Sequence, residues 1–117
     1  MTLKKHHSIL VRCLQDCATQ SEHCATVATG LIGKRQCISL CHDTAALCRL
    51  GAELLARESE LTSWLLPACE LACLACADEC EKHIGSFFGE CARQCRSLSS
   101  VMDRAQSVSG ISTSARA

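Results

Sequence analysis

Twelve cysteines recur at helical spacing and are the residues of this 117-residue chain best suited to chemistry. The densest stretch is Cys69-x3-Cys73-x2-Cys76-x3-Cys80. Steps of three and four residues return to one face of a helix, so these four thiols share a face. Thiolates are soft ligands that select Cu(I), zinc or iron–sulfur clusters. The spacing therefore predicts a thiol-based metal site built on helices.

The same sulfur pattern occurs four times along the chain. Its form is Cys-x3-Cys-x6-Cys, with one extra thiol in the third copy and a methionine ending the fourth. The four copies comprise Cys13, Cys17 and Cys24; Cys37, Cys41 and Cys48; Cys69, Cys73, Cys76 and Cys80; and Cys91, Cys95 and Met102. Such an internal repeat indicates that one structural unit, a helix with a sulfur face, recurs four times.

Each copy lies in a segment that reads as a helix. We predict helices over about residues 3–29, 34–57, 60–82 and 87–106, separated by a Gly-rich break, a Ser N-cap and a Gly-Ser turn. Pro67 either begins the third helix or kinks it. Short turns favour antiparallel neighbours, so the predicted fold is all-α, an antiparallel up-down four-helix bundle with a Cys-lined core over residues 1–106. The Ser-rich residues 107–117 are predicted to be a flexible tail.

Antiparallel packing sorts the sulfurs into three predicted layers. The first layer holds Cys13, Cys48, Cys69 and Met102, the middle layer Cys17, Cys41, Cys73, Cys76 and Cys95, and the third Cys24, Cys37, Cys80 and Cys91. Neighbouring thiols at four-residue spacing have Cβ atoms about 5–6 Å apart, close enough to share one metal ion. Cu(I) accepts few ligands and bridging thiolates, so capacity approaches roughly one ion per thiol.

Other uses of the thiols stay open as alternatives. An iron–sulfur or thiol redox protein for electron transfer is one, although the ferredoxin run needs Cys-x2-Cys at its start and Pro at its end. A zinc-buffering protein is another, although zinc prefers closed sets of four ligands shaped by loops. We expect no enzyme, because the chain has no Glu-x-x-His pair, no His-Glu-x-x-His and no Gly-rich phosphate loop. Packing of thiols as small apolar side chains does not account for twelve cysteines that recur at the same helical spacing.

Composition narrows the partners and the compartment. Lys plus Arg and Asp plus Glu both count 12, and the aromatics are only Trp64, Phe87 and Phe88, which predicts no nucleic-acid partner. No apolar stretch approaches the roughly 18 residues of a membrane span. The first residues hold an apolar run of only three, too short for a signal peptide, so we expect a cytoplasmic protein. In that reducing compartment dense cysteine indicates metal or redox chemistry.

The stretch Cys69-Glu-Leu-Ala-Cys73-Leu-Ala-Cys76-Ala-Asp-Glu-Cys80-Glu-Lys-His83 and the repeated Cys-x3-Cys pairs resemble the cysteine-rich four-helix-bundle copper storage proteins of bacteria. The resemblance covers about residues 9–102. It implies many Cu(I) ions along the core, a storage or sequestration role of the cytosolic type, and a homo-oligomer such as a tetramer. Copper chaperones are the expected protein partners.

The fourth helix departs from the family pattern. Phe88, Leu98 and Met102 occupy positions where family members often carry further cysteines, which implies a lower capacity. Phe88 is predicted to plug one end of the bundle.

Two side chains besides the thiols are candidate secondary metal ligands. Met102 completes the fourth sulfur copy, and His83 falls in core register at one end of the bundle. His6 is in register at the opposite end. His23 and His42 point away from the core face and are predicted to lie on the surface. Trp64 is predicted either to plug a bundle end or to form an oligomer contact.

Overall fold

The structure, a computed structural model, describes residues 2–109, with the side chains of residues 7–105. The side chain of His6 and the tail residues 110–117, both subjects of predictions above, lie outside this description. Four α-helices follow one another: α1 (Thr2–Thr29), α2 (Arg35–Ala56), α3 (Thr62–Cys80) and α4 (Ser86–Ser109). No strand occurs between residues 2 and 109. The predicted all-α bundle is therefore confirmed, and α4 continues three residues into the segment predicted as tail.

The helices form a closed ring of antiparallel neighbours. Each helix packs on the next one in the chain, and α1 also packs on α4. The turns that join α1 to α2 and α3 to α4 contain Gly33 and Gly85, whose φ angles of 79° and 145° favour glycine. A Cβ atom at Gly85 would also lie 3.2 Å from ring atoms of Phe87 and Phe88. These glycines let short turns reverse the chain at one end of the bundle.

The start of α3 rules out one of the two alternatives predicted for Pro67, and its N-cap differs from the prediction. The helix begins at Thr62, and Pro67 lies inside its second turn rather than at its first residue. Leu61 occupies the N-cap position, and Ser59, the predicted N-cap, lies two residues before it. The Ser59 hydroxyl instead accepts a hydrogen bond from the Leu61 amide at 3.1 Å. A serine turn therefore leads into α3, and Pro67 costs the helix one backbone hydrogen bond, the one that a residue at this position would donate to the Ser63 carbonyl.

The bundle interior has an apolar end and a sulfur-rich remainder. Leu10 and Leu14 of α1, Leu66 of α3 and Met102 of α4 are completely buried, and Leu55 of α2 is 2% exposed. All five lie at the end formed by the start of α1 and the end of α4. Since large apolar side chains fill this end, the sulfur-lined part of the core is closed there.

Phe88 lies at the opposite end of the bundle, in the first turn of α4. It is fully buried, and its ring centroid is 4.2 Å from that of Phe87 and 5.0 Å from that of His83. A phenylalanine therefore closes this end of the core, as the departure from the family pattern predicts.

None of the described helices within residues 2–109 is long and apolar enough to cross a membrane.

Candidate metal centre

The thiols of the four helices converge on the bundle axis. Eleven of the twelve cysteines are buried, Cys13 is half-buried, and all twelve are free thiols. The eleven buried thiols reach the axis because each occupies a core-facing position of its helix, at steps of three, four or seven residues. The sequence thus places sulfur where an ordinary bundle carries leucine or isoleucine.

Pairs of thiols face each other across neighbouring helices. Three such pairs join α2 to α3: Cys37 with Cys80 at 3.8 Å, Cys41 with Cys76 at 3.7 Å, and Cys48 with Cys73 at 3.9 Å between Sγ atoms. One pair joins α1 to α4, with 3.8 Å between the Sγ atoms of Cys17 and Cys95. Within α3, the Sγ atoms of Cys76 and Cys80 are 4.0 Å apart. These separations let two sulfurs bind one ion with small side-chain adjustments.

Larger groups of thiols also form. Within each group the sulfur atoms all lie within 4.8 Å of one another. The groups are Cys24, Cys41, Cys80 and Cys91, one thiol from each helix; Cys17, Cys73 and Cys95; and Cys76, Cys91 and Cys95. Cys91 and Cys95 each belong to two groups, so the groups are linked. With the pairs described above, ten thiols form one continuous file along the axis.

The file does not divide into the predicted layers. Cys41 was placed in the middle layer, but its sulfur lies in the four-thiol group with Cys24, Cys80 and Cys91 while staying 3.7 Å from Cys76. Cys48 was placed in the first layer, but its sulfur is 3.9 Å from that of Cys73. One helical turn rises about 5.4 Å, not much more than the 3.7 to 3.9 Å between facing sulfurs on neighbouring helices, and side chains can span the difference. A thiol therefore contacts sulfurs above and below it as readily as those opposite it.

Cys13 stands apart from the file. It belongs to none of the three thiol groups found among the described residues, and Met102 is buried at the apolar end of the bundle. Leu10 and Leu14 take the core-facing positions of that part of α1, which leaves Cys13 on the flank of the helix. Cys69 also lies outside the three groups, and its thiol donates a hydrogen bond to the Leu47 carbonyl at 3.2 Å.

Two hydroxyl side chains, which the sulfur pattern does not predict, face the core between the thiols. Ser21 is fully buried with its Oγ 3.9 Å from the sulfur of Cys91, and the buried Thr44 donates to the Ala72 carbonyl at 3.2 Å. Ser21 lies four residues after Cys17, and Thr44 occupies the slot that Cys76 holds in α3. The repeat register could therefore have identified both residues as facing the core.

At the end of the file near Phe88, three polar and charged side chains are linked by hydrogen bonds. Lys34 Nζ donates to Nδ1 of His83 at 3.0 Å, and Nε2 of His83 lies 3.1 Å from a Glu79 carboxylate oxygen. Lys34 also lies 5.4 Å from the centroid of the Phe88 ring. A neutral imidazole that accepts at Nδ1 and donates at Nε2 satisfies all of these contacts. His83 thus stands at the end of the bundle, as predicted, while His23 and His42 are exposed.

Proton affinities in the file follow from burial and from hydrogen bonds between sulfurs. Burial raises the pKa of Cys37 to about 11 and also raises the pKa of the half-buried Cys13. Hydrogen bonds from Cys48, Cys73 and Cys95 lower the pKa of Cys17. The thiol of Cys37 therefore keeps its proton at neutral pH in the apoprotein. Metal ions must displace protons from the neutral thiols.

The raised pKa of Cys37 predicts how the stability of the apoprotein depends on pH. An unfolded cysteine loses its proton near pH 9, whereas the folded Cys37 keeps it until about pH 11. The contribution of Cys37 to stability is therefore complete below pH 9 and falls as pH rises through that window, by about 2 kcal/mol between pH 8 and pH 10.5. Urea unfolding of the reduced apoprotein measures this slope. For Cys37→Ala, the free energy of unfolding should fall less between pH 8 and pH 10.5 than it does for the wild type. An equal fall in the two proteins would contradict the assignment of this pH dependence to Cys37.

Comparison with known proteins decides the family of this chain. The family model for Csp, described as copper storage protein, matches residues 2–106. The chain belongs to the copper storage protein family. This is a family of storage proteins rather than of enzymes. The matched residues include α1, α2 and α3, the part of α4 up to residue 106, and every cysteine.

Among solved structures, this copper storage family member is similar to the Cu(I)-bound copper storage protein BsCsp3. The TM-score is 0.80 at 22% sequence identity, over 86% of this chain and 97% of that one. At this identity the likeness shows a shared four-helix fold. No curated protein sequence matches the chain at a significant level.

Proposed function

We propose that this member of the copper storage family holds many Cu(I) ions at once along its axis. The observation that carries the proposal is the continuous file of ten buried thiols with neighbouring sulfurs 3.7 to 4.0 Å apart along its pairs. A site for one ion would need two to four of them. An uninterrupted file suits an ion that shares bridging thiolates with the next ion.

The site residues proposed for copper are the twelve thiols, with the buried file as the main store. Cu(I) is soft and accepts few ligands, so facing pairs such as Cys37 with Cys80 suffice for one ion. Met102 and His83 are proposed as secondary ligands at the two ends. His83 would have to release the hydrogen bond from Lys34 before its Nδ1 could bind a metal.

A zinc site is the second candidate function, and one group of thiols favours it. Cys24, Cys41, Cys80 and Cys91 lie within 4.8 Å of one another and come from four different helices, which is the set of four that zinc prefers. The other thiols of the file form groups of three or pairs and offer no second closed tetrad among the described residues. Zinc would therefore fill one site per chain, whereas Cu(I) would fill the file.

The working environment follows from the state of the thiols. Closely spaced thiols stay available for metal only where they are kept reduced, which supports a cytoplasmic location. Copper chaperones are proposed as the partners that deliver and remove Cu(I), and a homo-oligomer as the working form.

Anaerobic titration of the reduced protein with Cu(I), against a competing chelator, tests this function. We expect tight binding that continues to roughly ten ions per chain, because each ion needs about one shared thiolate. The same titration with zinc should stop near one ion per chain. Tight Cu(I) binding that ends at one or two ions would contradict storage, and a file that takes many zinc ions and few Cu(I) ions would favour the zinc function.

A further inference from the structure

Gly51 occupies a core-facing position in the middle of α2. It lies three residues after Cys48 and four residues before Leu55, and all three residues are buried. Glycine has the lowest helix propensity of any residue except proline, and it leaves the core without a side chain at its position. A buried glycine inside this helix therefore requires a reason in the packing around it.

The sulfur of Cys69 occupies the space beside Gly51. A Cβ atom at position 51 would lie 3.0 Å from the Sγ atom of Cys69, closer than the 3.4–4 Å of an ordinary contact. The same Cβ atom would lie 3.7 Å and 3.8 Å from the two Cδ atoms of Leu14, which are ordinary contacts. An alanine would therefore fit against α1, and it is the Cys69 thiol of α3 that excludes it.

A hydrogen bond holds the Cys69 sulfur against the backbone of α2. Its thiol donates to the Leu47 carbonyl at 3.2 Å, which is also the carbonyl that accepts from the Gly51 amide in a regular helix. A carbonyl oxygen has two lone pairs and can accept both hydrogen bonds. The turn from Leu47 to Gly51 thus contacts one sulfur atom directly, with no side chain of residue 51 between them.

This position brings Cys69 to the Cys48 end of the file. Cys48 directly follows Leu47, and hydrogen bonding to Cys48 lowers the pKa of the Cys69 thiol. Cys73, one turn after Cys69 on α3, is the facing partner of Cys48. One turn before Cys69 lies the fully buried Leu66. Cys69 is therefore the last thiol of α3 before the apolar end.

We propose that Gly51 is a positioning residue for copper: its missing side chain lets the Cys69 sulfur lie next to Cys48 and extend the file of ten thiols by one. The inference rests on the proposed function, since it assigns Cys69 to the copper store. An alanine at position 51 would turn Cys69 into another rotamer. That change moves a cysteine sulfur by about 3 Å and breaks its hydrogen bond to Leu47. An ion bridged between Cys48 and Cys69 would then lose one of its ligands.

Native mass spectrometry of the protein loaded anaerobically with Cu(I) counts the ions on each chain and tests this role. Gly51→Ala should hold about one ion fewer than the wild type, as Cys69→Ala should, because each ion needs about one shared thiolate. The variant with both changes should hold no fewer ions than Cys69→Ala alone. A full count in Gly51→Ala, or losses that add in the double variant, would overturn the proposal.

Gly89→Ala is the matched control for this count. Gly89 also lies within a helix, α4, and a Cβ atom there would meet nothing within 4 Å. Its ion count should therefore equal that of the wild type. An equal loss of copper in Gly89→Ala and Gly51→Ala would overturn the specific role of Gly51.

Thermal melts of the apoprotein test the contact without copper. Gly51→Ala should lower the midpoint by about 4 °C, because overpacking the core outweighs the gain in helix propensity. In the Cys69→Ala background the same change should raise the midpoint by about 4 °C, because the new methyl group fills the space that the sulfur leaves. A lower midpoint in both backgrounds would overturn the contact with Cys69. A wild type that held one or two ions would overturn the proposed function, while these melts would still show whether Gly51 places Cys69.

Discussion

Replacing Cys73, Cys76 and Cys80 together by alanine should remove at least a third of the Cu(I) capacity while the protein stays helical. The three thiols are a quarter of the cysteines, but each is also the nearest partner of a thiol on α2. Their loss therefore also removes the facing partners of Cys37, Cys41 and Cys48. Since bridging ions need two sulfurs, capacity falls by more than the share of thiols removed.

The helices should survive this change. Alanine has the highest helix propensity, and a buried free thiol acts as a small hydrophobe whose loss leaves only a small cavity. Circular dichroism checks the helix content, and anaerobic titration against a chelator measures capacity. Cys13→Ala is the matched control, because Cys13 is half-buried and outside the thiol groups, and it should cost at most one ion. An unchanged capacity in the triple variant would contradict the role of this face.

Cu(I) loading should raise the thermal midpoint of unfolding by more than 10 °C. Each tightly held ion stabilises only the folded chain, by about 4 kcal/mol at a free concentration a thousand times its dissociation constant. Ions held between facing pairs tie α1 to α4 and α2 to α3, so several such contributions act on one cooperative bundle.

Thermal melts followed by circular dichroism, with and without Cu(I) in anaerobic buffer, measure this shift. Extraction of copper with a strong chelator should return the midpoint to the apo value. The apoprotein itself should melt cooperatively, because neutral thiols and the leucines of the apolar end already form a packed core. Equal midpoints for the loaded and apo forms would mean that copper binds to the surface rather than between the helices.

The sequence predicts the fold and the sulfur face well, because both rest on periodicity. Cysteines at steps of three, four and seven residues must share one face of each helix, and glycines at the turns fix where the chain reverses. These features need no knowledge of how the helices slide past one another. The position of Phe88 at one end of the bundle follows for the same reason.

The sequence did not predict how the helices are offset along the bundle axis, or which side chains lie on the flank of a helix rather than in the core. The grouping of Cys41 with Cys24, Cys80 and Cys91 depends on offsets between helices that are smaller than one turn. Cys13 shares the sulfur spacing, yet Leu10 and Leu14 face the core in its place. The link from Lys34 to His83 depends on the conformation of a long flexible side chain. Tertiary packing decides all three, and spacing in one helix does not report it.

Diffraction from crystals of the copper-loaded protein, collected with anomalous scattering at the copper edge, tests the central claim most directly. We predict a row of copper peaks along the bundle axis, between the Cys48–Cys73 pair and the Cys37–Cys80 pair. Neighbouring peaks should share cysteine sulfurs. A single peak within the four-thiol group, or peaks confined to surface histidines, would contradict the file of thiols as a store.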